Sequence, residues 1–197
     1  KILEEMNIYN VSNVVDPVFL LDKEEWDLMV KKDFKEKYLL VYDFDNNSLI
    51  QKIAIQLSRE KGYKIYSINP GKVNYADKYF KFVGPETFIS LVKDAQFIIS
   101  NSFHAAIFSI IYEKDFLIVN RHESINTRMR DLLMDLGLLE RLVDNTYDFE
   151  LTSKSINYEE SKRVLSKKIN FSKKYIEYVL HMNYGEGVYN EEDTICN

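Results

Sequence analysis

Four short apolar runs, spaced by segments of helical length, constrain this chain more than any other feature. YLLVYDF (38–44), YKIYSI (63–68), QFIIS (96–100) and FLIVN (116–120) are too short for helices and largely apolar at successive positions, the mark of strands covered on both faces. Between them lie helical patterns. LIQKIAIQLSREKG has Ser48 before it as an N-cap and Gly62 at its end for a left-handed C-terminal cap. GPETFISLVKDA puts Pro85 at a first helical position, Glu86 in the first turn and Phe88, Ile89 and Val92 on one side. Helices are also expected at 102–112 and 128–136. Strands alternating with helices in this way predict an α/β fold: an open, mostly parallel sheet of four or five strands with helices on both faces. Residues 42–45, 68–69, 100–102 and 120–122 should then leave the sheet at one edge.

The remaining stretches read as appendages. A lead-in with a helix at about 22–31 occupies 1–37, the sheet domain spans 38–144, and a helical extension with a polar tail fills 145–197. In that last part 144–157 reads as a linker and 158–182 as a helix broken near Asn170. The turn Asn69-Pro70-Gly71 leads into a loop to Val83. At 197 residues and 46% hydrophobic, the chain has material for one core with additions. A net charge of -5 argues against nucleic acid as a partner. The single cysteine, Cys196, forms no internal disulfide, which makes the cytoplasm the default compartment. No apolar run approaches the roughly 20 residues of a membrane helix. The opening lysine suggests a trimmed protein or a piece of a longer one.

In an open α/β sheet, ligands bind outside the carboxyl ends of the strands, where helix N-termini point at the site. The stretch DAQFIISNSFHAAIFSII places Asn101, Ser102, Phe103 and His104 at such an end. His104 falls in the first turn of its helix, where backbone N–H groups hold anions and an imidazole can donate or transfer a proton. Asn101 and Ser102 add short polar donors, and Ser102 reads equally as the helix cap. From the next strand, VNRHESINTRMR supplies Arg121, Arg128 and Arg130, whose forks suit carboxylate and phosphate. Arg121 lies nearest the strand end, whereas Arg128 and Arg130 read equally as solvated helix residues. In DFDNNS, Asp43 and Asp45 favour turn and cap chemistry over metal binding, having no histidine nearby. His122 and His181 read as surface residues. No GxGxxG, P-loop, CxxC, HExxH or GxSxG pattern occurs, which removes the main supports for dinucleotide, nucleotide, zinc and α/β-hydrolase chemistry.

DPVFLLDKEEWDLM, YLLVYDF, GPETFISLVKDAQFIISNSFHAAIFSIIYEKDFLIV and NTRMRDLLMDLGLLERLV resemble, in order and spacing, the carboxyl half of the polysaccharide pyruvyl transferase family. The GPE helix followed by SNSFH is the most specific element, and Ala105 stands where the family has glycine. The resemblance implies the Rossmann-like half of a GT-B-type architecture. It also implies a transferase that moves the pyruvyl part of phosphoenolpyruvate onto a sugar, as a ketal, in a cell-surface polysaccharide or its lipid-linked precursor. By the same resemblance His104 is the general acid or phosphate ligand, Arg121 and Arg128 are clamps, and Asn101, Ser102 and Phe103 line the anion cradle. No metal or cofactor is expected beyond the donor. Expected partners are phosphoenolpyruvate, a glycan acceptor and an amino-terminal half of the same protein, in the cytoplasm or peripheral to the inner face of the membrane. Two other readings stand beside it: a GT-B glycosyltransferase using a nucleotide sugar, and a non-catalytic binding module of the same fold.

Overall fold

The computed structural model describes residues 5–9, 11–120, 127–145 and 148–184. Six strands, β1 (Tyr38–Tyr42), β2 (Lys64–Ser67), β3 (Lys78–Tyr79), β4 (Phe97–Ser100), β5 (Phe116–Val119) and β6 (Leu142–Val143), form one sheet in the order β3-β2-β1-β4-β5-β6. Every pairing is parallel. The four longer strands are the four apolar runs, and β1, β4 and β5 are buried at almost every position. The outer strands β3 and β6 were not visible as apolar runs. Each is two residues long, and the exposed edge of its neighbour templates it through Tyr66↔Lys78 and Ile118↔Leu142. Such short edges also blunt the tendency of a sheet to recruit further strands.

Five α-helices, α1 (Lys23–Asp27), α3 (Pro85–Asp94), α4 (Phe103–Ile111), α5 (Thr127–Asp135) and α6 (Glu159–Tyr184), lie on the face where Tyr38, Leu40, Ile98, Phe116 and Ile118 point. Helix α2 (Ser48–Lys61) covers the opposite face, packing Ile50, Ile53 and Leu57 on Leu39, Val41, Ile99 and Leu117. Removing each of these aliphatic side chains from water is worth about 1.5–3 kcal/mol, which makes the two-sided burial of the central strands the main stabilising term. Helix α2 starts one residue away from the expected cap. Asn47, not Ser48, is the N-cap, its side chain accepting from the N–H groups of Leu49 and Ile50. Gly62 closes the helix at φ 68°, a left-handed conformation that glycine adopts without steric cost. Pro85 occupies the first position of α3 as its fixed φ favours.

Three other expectations need correction. The first helix is a single capped turn, Lys23–Asp27, in which Asp22 and Glu25 bond each other's backbone; beyond it Leu28 is 87% exposed. Helix α6 runs unbroken through Asn170. Asn170 is exposed there, and its modest helix penalty is outweighed by Leu165 and Ile169 in the core and by Ser172, whose hydroxyl accepts from Val15 N–H at 3.0 Å. The polar stretch 144–157 is not a plain linker. It contains a 3-10 turn, Phe149–Ser153, pinned by the buried Arg141, which donates to the carbonyls of Leu151 and Lys154 at 3.0 and 2.9 Å. No helix among the described residues is long and apolar enough to cross a membrane.

Candidate functional site

The strand order reverses between β1 and β4. After β1 the chain moves outward to β2 by way of α2, and after β4 it moves the other way to β5 by way of α4. Such a reversal parts the loops at the carboxyl edge and leaves a crevice there. The register Tyr42↔Ser100 and Ser100↔Ile118 puts the exits of β1, β4 and β5 side by side on that edge, as the sequence pattern requires. Asn120 joins them, its N–H donating to the carbonyl of Val143 at 2.8 Å.

Beneath the edge lies a buried polar lock. Asp43, fully buried, accepts from the N–H of Asp45 at 3.0 Å, the N–H of Asn47 at 2.7 Å and the side-chain amide of Asn101 at 2.7 Å. The other end of the Asn101 side chain accepts from Phe44 N–H at 3.1 Å. Both ends of Asn101 therefore hold the β1–α2 loop, and Asn101 is only 4% exposed. Asn69, also buried, donates to Asn46 at 3.5 Å and accepts from Ser67. Tyr75 brings its hydroxyl up to this group. Asn69 approaches it without hydrogen-bond geometry, the oxygen is left without a partner, and burial together with the Asp43 charge pushes the phenol up to about 12.

Ser102 is the N-cap of α4, its hydroxyl accepting from Ala105 N–H at 3.4 Å, so the cap reading of this residue is the one the structure shows. The next two residues point elsewhere. Phe103 is half-buried and His104 is exposed, with ring centroids 5.7 Å apart. Arg128, on the first turn of α5, lays its guanidinium over the same Phe103 ring, 3.8 Å from the centroid. The imidazole and the guanidinium thus share one aromatic neighbour, although 24 residues of sequence separate them. Arg121 and His122 lie outside the described residues. Ala105 is fully buried, so the methyl that distinguishes it from glycine faces the interior and not the rim. A cavity of about 670 Å³ opens beside this trio, between residues 13–19, α5 and α6, with Phe103, Arg128, Asp131 and Lys167 among its walls. That is a common size for a small-molecule site.

The helices differ in the charges of their first turns. Helices α1, α3 and α6 carry acidic residues in their first turns, as the positive end of a helix dipole favours. Helices α2, α4 and α5 do not, and of these α4 and α5 present His104 and Arg128 in their first turns. The first turns of α4 and α5 meet where Arg128 lies over Phe103, which brings an imidazole and a guanidinium to the same part of the carboxyl edge. One element of this edge escaped the sequence reading. Phe44, 41% exposed, follows from the period-2 alternation Leu40, Tyr42, Phe44 carried one step past β1.

The fold is an open α/β domain on a six-stranded parallel sheet, with His104 and Arg128 at its carboxyl rim. Residues 1–123 match the model of the family described as polysaccharide pyruvyl transferase, and the chain belongs to that family. Among curated proteins none matches the sequence. Among solved structures it is similar to AviGT4, a glycosyltransferase involved in avilamycin A biosynthesis, at 12% identity and TM-score 0.47 over 86% of this chain and 56% of that one. It is also similar to the dodecameric iron-containing heptosyltransferase TibC in complex with ADP-D-β-D-heptose, at 14% identity and TM-score 0.41, covering 78% of this chain and 48% of that one. A further structure of TibC, from enterotoxigenic E. coli, matches at 12% identity and TM-score 0.39 over 78% and 48%. The chain spans about half the length of these proteins. Likenesses this distant carry no argument about substrates.

Proposed function

We propose that this chain is the carboxyl half of a polysaccharide pyruvyl transferase and carries its phosphoenolpyruvate site at the exits of β4 and β5. The observation that carries the proposal is the placement of His104 and Arg128 in the first turns of two helices that lack the usual acids. Phosphoenolpyruvate bears a carboxylate and a phosphate on adjacent groups, and two neighbouring N-termini with an arginine fork and an imidazole offer donors to both.

The chemistry assigns each group a task. Protonation of the terminal enol carbon of phosphoenolpyruvate turns the adjacent carbon into an oxocarbenium-like centre, which one sugar hydroxyl attacks, giving up its proton. A second hydroxyl of the same sugar then displaces phosphate at that carbon, and the products are the pyruvate ketal and inorganic phosphate. His104, exposed at the rim and without a hydrogen-bond partner among the described residues, is the group available to deliver the proton or to hold the departing phosphate. Arg128 is the clamp, its guanidinium kept flat by the Phe103 ring. Arg121 is assigned a second clamp, Ser102 caps the helix whose N–H groups form the cradle, and Asn101 positions the edge from beneath.

A ligand-induced shift in melting temperature tests the proposal. Phosphoenolpyruvate should raise it in a concentration-dependent way, and Arg128→Ala should abolish the rise. Stabilisation by nucleotide diphosphates or nucleotide sugars with none by phosphoenolpyruvate would replace the proposal with a glycosyltransferase reading, and no shift with either would leave a non-catalytic module.

A further inference from the structure

We infer that the cavity between residues 13–19, α5 and α6 is the subsite for the acceptor sugar, and that Asp131 holds the sugar's hydroxyls there; this rests on the transferase reading above. The cavity measures about 670 Å³, ample for a sugar ring, and Phe103 and Arg128 belong to its wall. Two kinds of surface line it. Phe19 and Leu165, both part of the core, make one stretch of the wall apolar. Charged side chains of both signs complete it: Asp16, Asp131 and Asp135 together with Arg128, Lys167 and Lys168.

These charges decide what the cavity can hold. Asp16 is engaged as the cap of a 3-10 turn, accepting from Val18 N–H at 3.1 Å, and Asp135 accepts from Lys168 at 2.6 Å. Asp131 is different: it is exposed and has no hydrogen bond or ion pair among the described residues. A carboxylate with no cation bound to it repels a multiply charged anion, so phosphoenolpyruvate is better served at the first turns of α4 and α5 than in the cavity. A neutral polyol meets the opposite case. The Asp131 carboxylate is purely an acceptor and can take two adjacent hydroxyls, Lys167 donates to others, and the C–H faces of the ring find the apolar wall. Asp131 also stands one turn after Arg128 on α5, which puts their Cβ atoms about 5–6 Å apart. A sugar held by Asp131 is therefore next to the group assigned to clamp the donor, the adjacency that ketal formation requires.

The test is a set of saturation-transfer difference NMR titrations of this chain with methyl β-D-glucopyranoside, methyl β-D-galactopyranoside and methyl β-D-mannopyranoside, alongside a titration with phosphoenolpyruvate. Wild type should bind at least one of the three sugars saturably. Asp131→Ala should weaken that binding by about threefold to tenfold, the range of one net hydrogen bond. Val14→Trp, which brings an indole into the cavity from a wall residue 38% exposed, should abolish it. Both positions lie at the surface, so each variant should melt within about 2 °C of wild type and bind phosphoenolpyruvate at least as tightly. No saturable binding of any of the three sugars to wild type, sugar binding unaltered by Asp131→Ala, or loss of phosphoenolpyruvate binding in Val14→Trp overturns the inference. Sugar binding as expected with no phosphoenolpyruvate binding by wild type leaves the subsite standing and counts instead against the transferase reading.

Discussion

His104 and Asn101 stand three residues apart and have opposite relations to the fold. His104 is exposed and contributes no described hydrogen bond, so His104→Ala should move the melting temperature by no more than about 2 °C. In the full-length enzyme the same change should lower the single-turnover rate by about 100-fold or more, because a proton donor or phosphate contact at the reacting centre is lost. Asn101→Ala removes two hydrogen bonds and leaves the buried Asp43 carboxylate with one donor fewer, so urea unfolding should show a loss of about 1–3 kcal/mol. An Asn101→Ala protein as stable as wild type would mean that the lock is not formed in solution. The stretch Asn101–His104 was visible in the sequence because it lies between the apolar run 96–100 and the helical pattern that follows. The inward role of Asn101 was not visible, since its partner Asp43 lies 58 residues away and only the β1–β4 pairing brings them together.

Elements that announce themselves by apolar periodicity, such as α2, α3, α4 and the four long strands, were legible. Those that depend on a neighbour were not. Strand β3 has no apolar run, and the continuity of α6 through Asn170 is decided by packing, not propensity. Arg141 is the clearest case: a charged residue that no periodicity marks as buried is 1% exposed and ties the 3-10 turn to the sheet. Arg141→Leu should cost about 2–4 kcal/mol in urea unfolding, since the carbonyls of Leu151 and Lys154 lose their donors inside the protein. At the amino edge of the sheet, Glu36 accepts from Lys64, Lys78 and the Tyr66 hydroxyl, and these bonds hold its carboxyl down at about 2. With the folded value below the ordinary 4.5, the stabilisation is complete above about pH 4.5 and is lost as the pH falls towards 2. The cluster is solvent-exposed, so salt should weaken the effect. Glu36→Gln should flatten the decline of melting temperature across that window, and an unchanged decline would show that other carboxylates govern it.

For the whole molecule, the parallel sheet followed from the rhythm of strands and helices, and membership of the pyruvyl transferase family agrees with the resemblance carried by GPE and SNSFH. The proposed assignment of this chain as one half of the enzyme can be tested by turnover. The 197-residue chain should fold cooperatively and bind phosphoenolpyruvate, yet give no transfer to any acceptor, whereas the full-length protein should release phosphate and form the ketal. Turnover by the chain alone would show that one half suffices. The most direct measurement of the central claim is a ¹⁵N NMR titration of this chain with phosphoenolpyruvate. Saturable shifts should concentrate at the amides of Phe103, His104 and Ala105 and at the start of α5, and all should be absent in Arg128→Ala. Shifts confined to the amino edge around Glu36, or none at millimolar ligand while a nucleotide diphosphate perturbs the same amides, would contradict the claim.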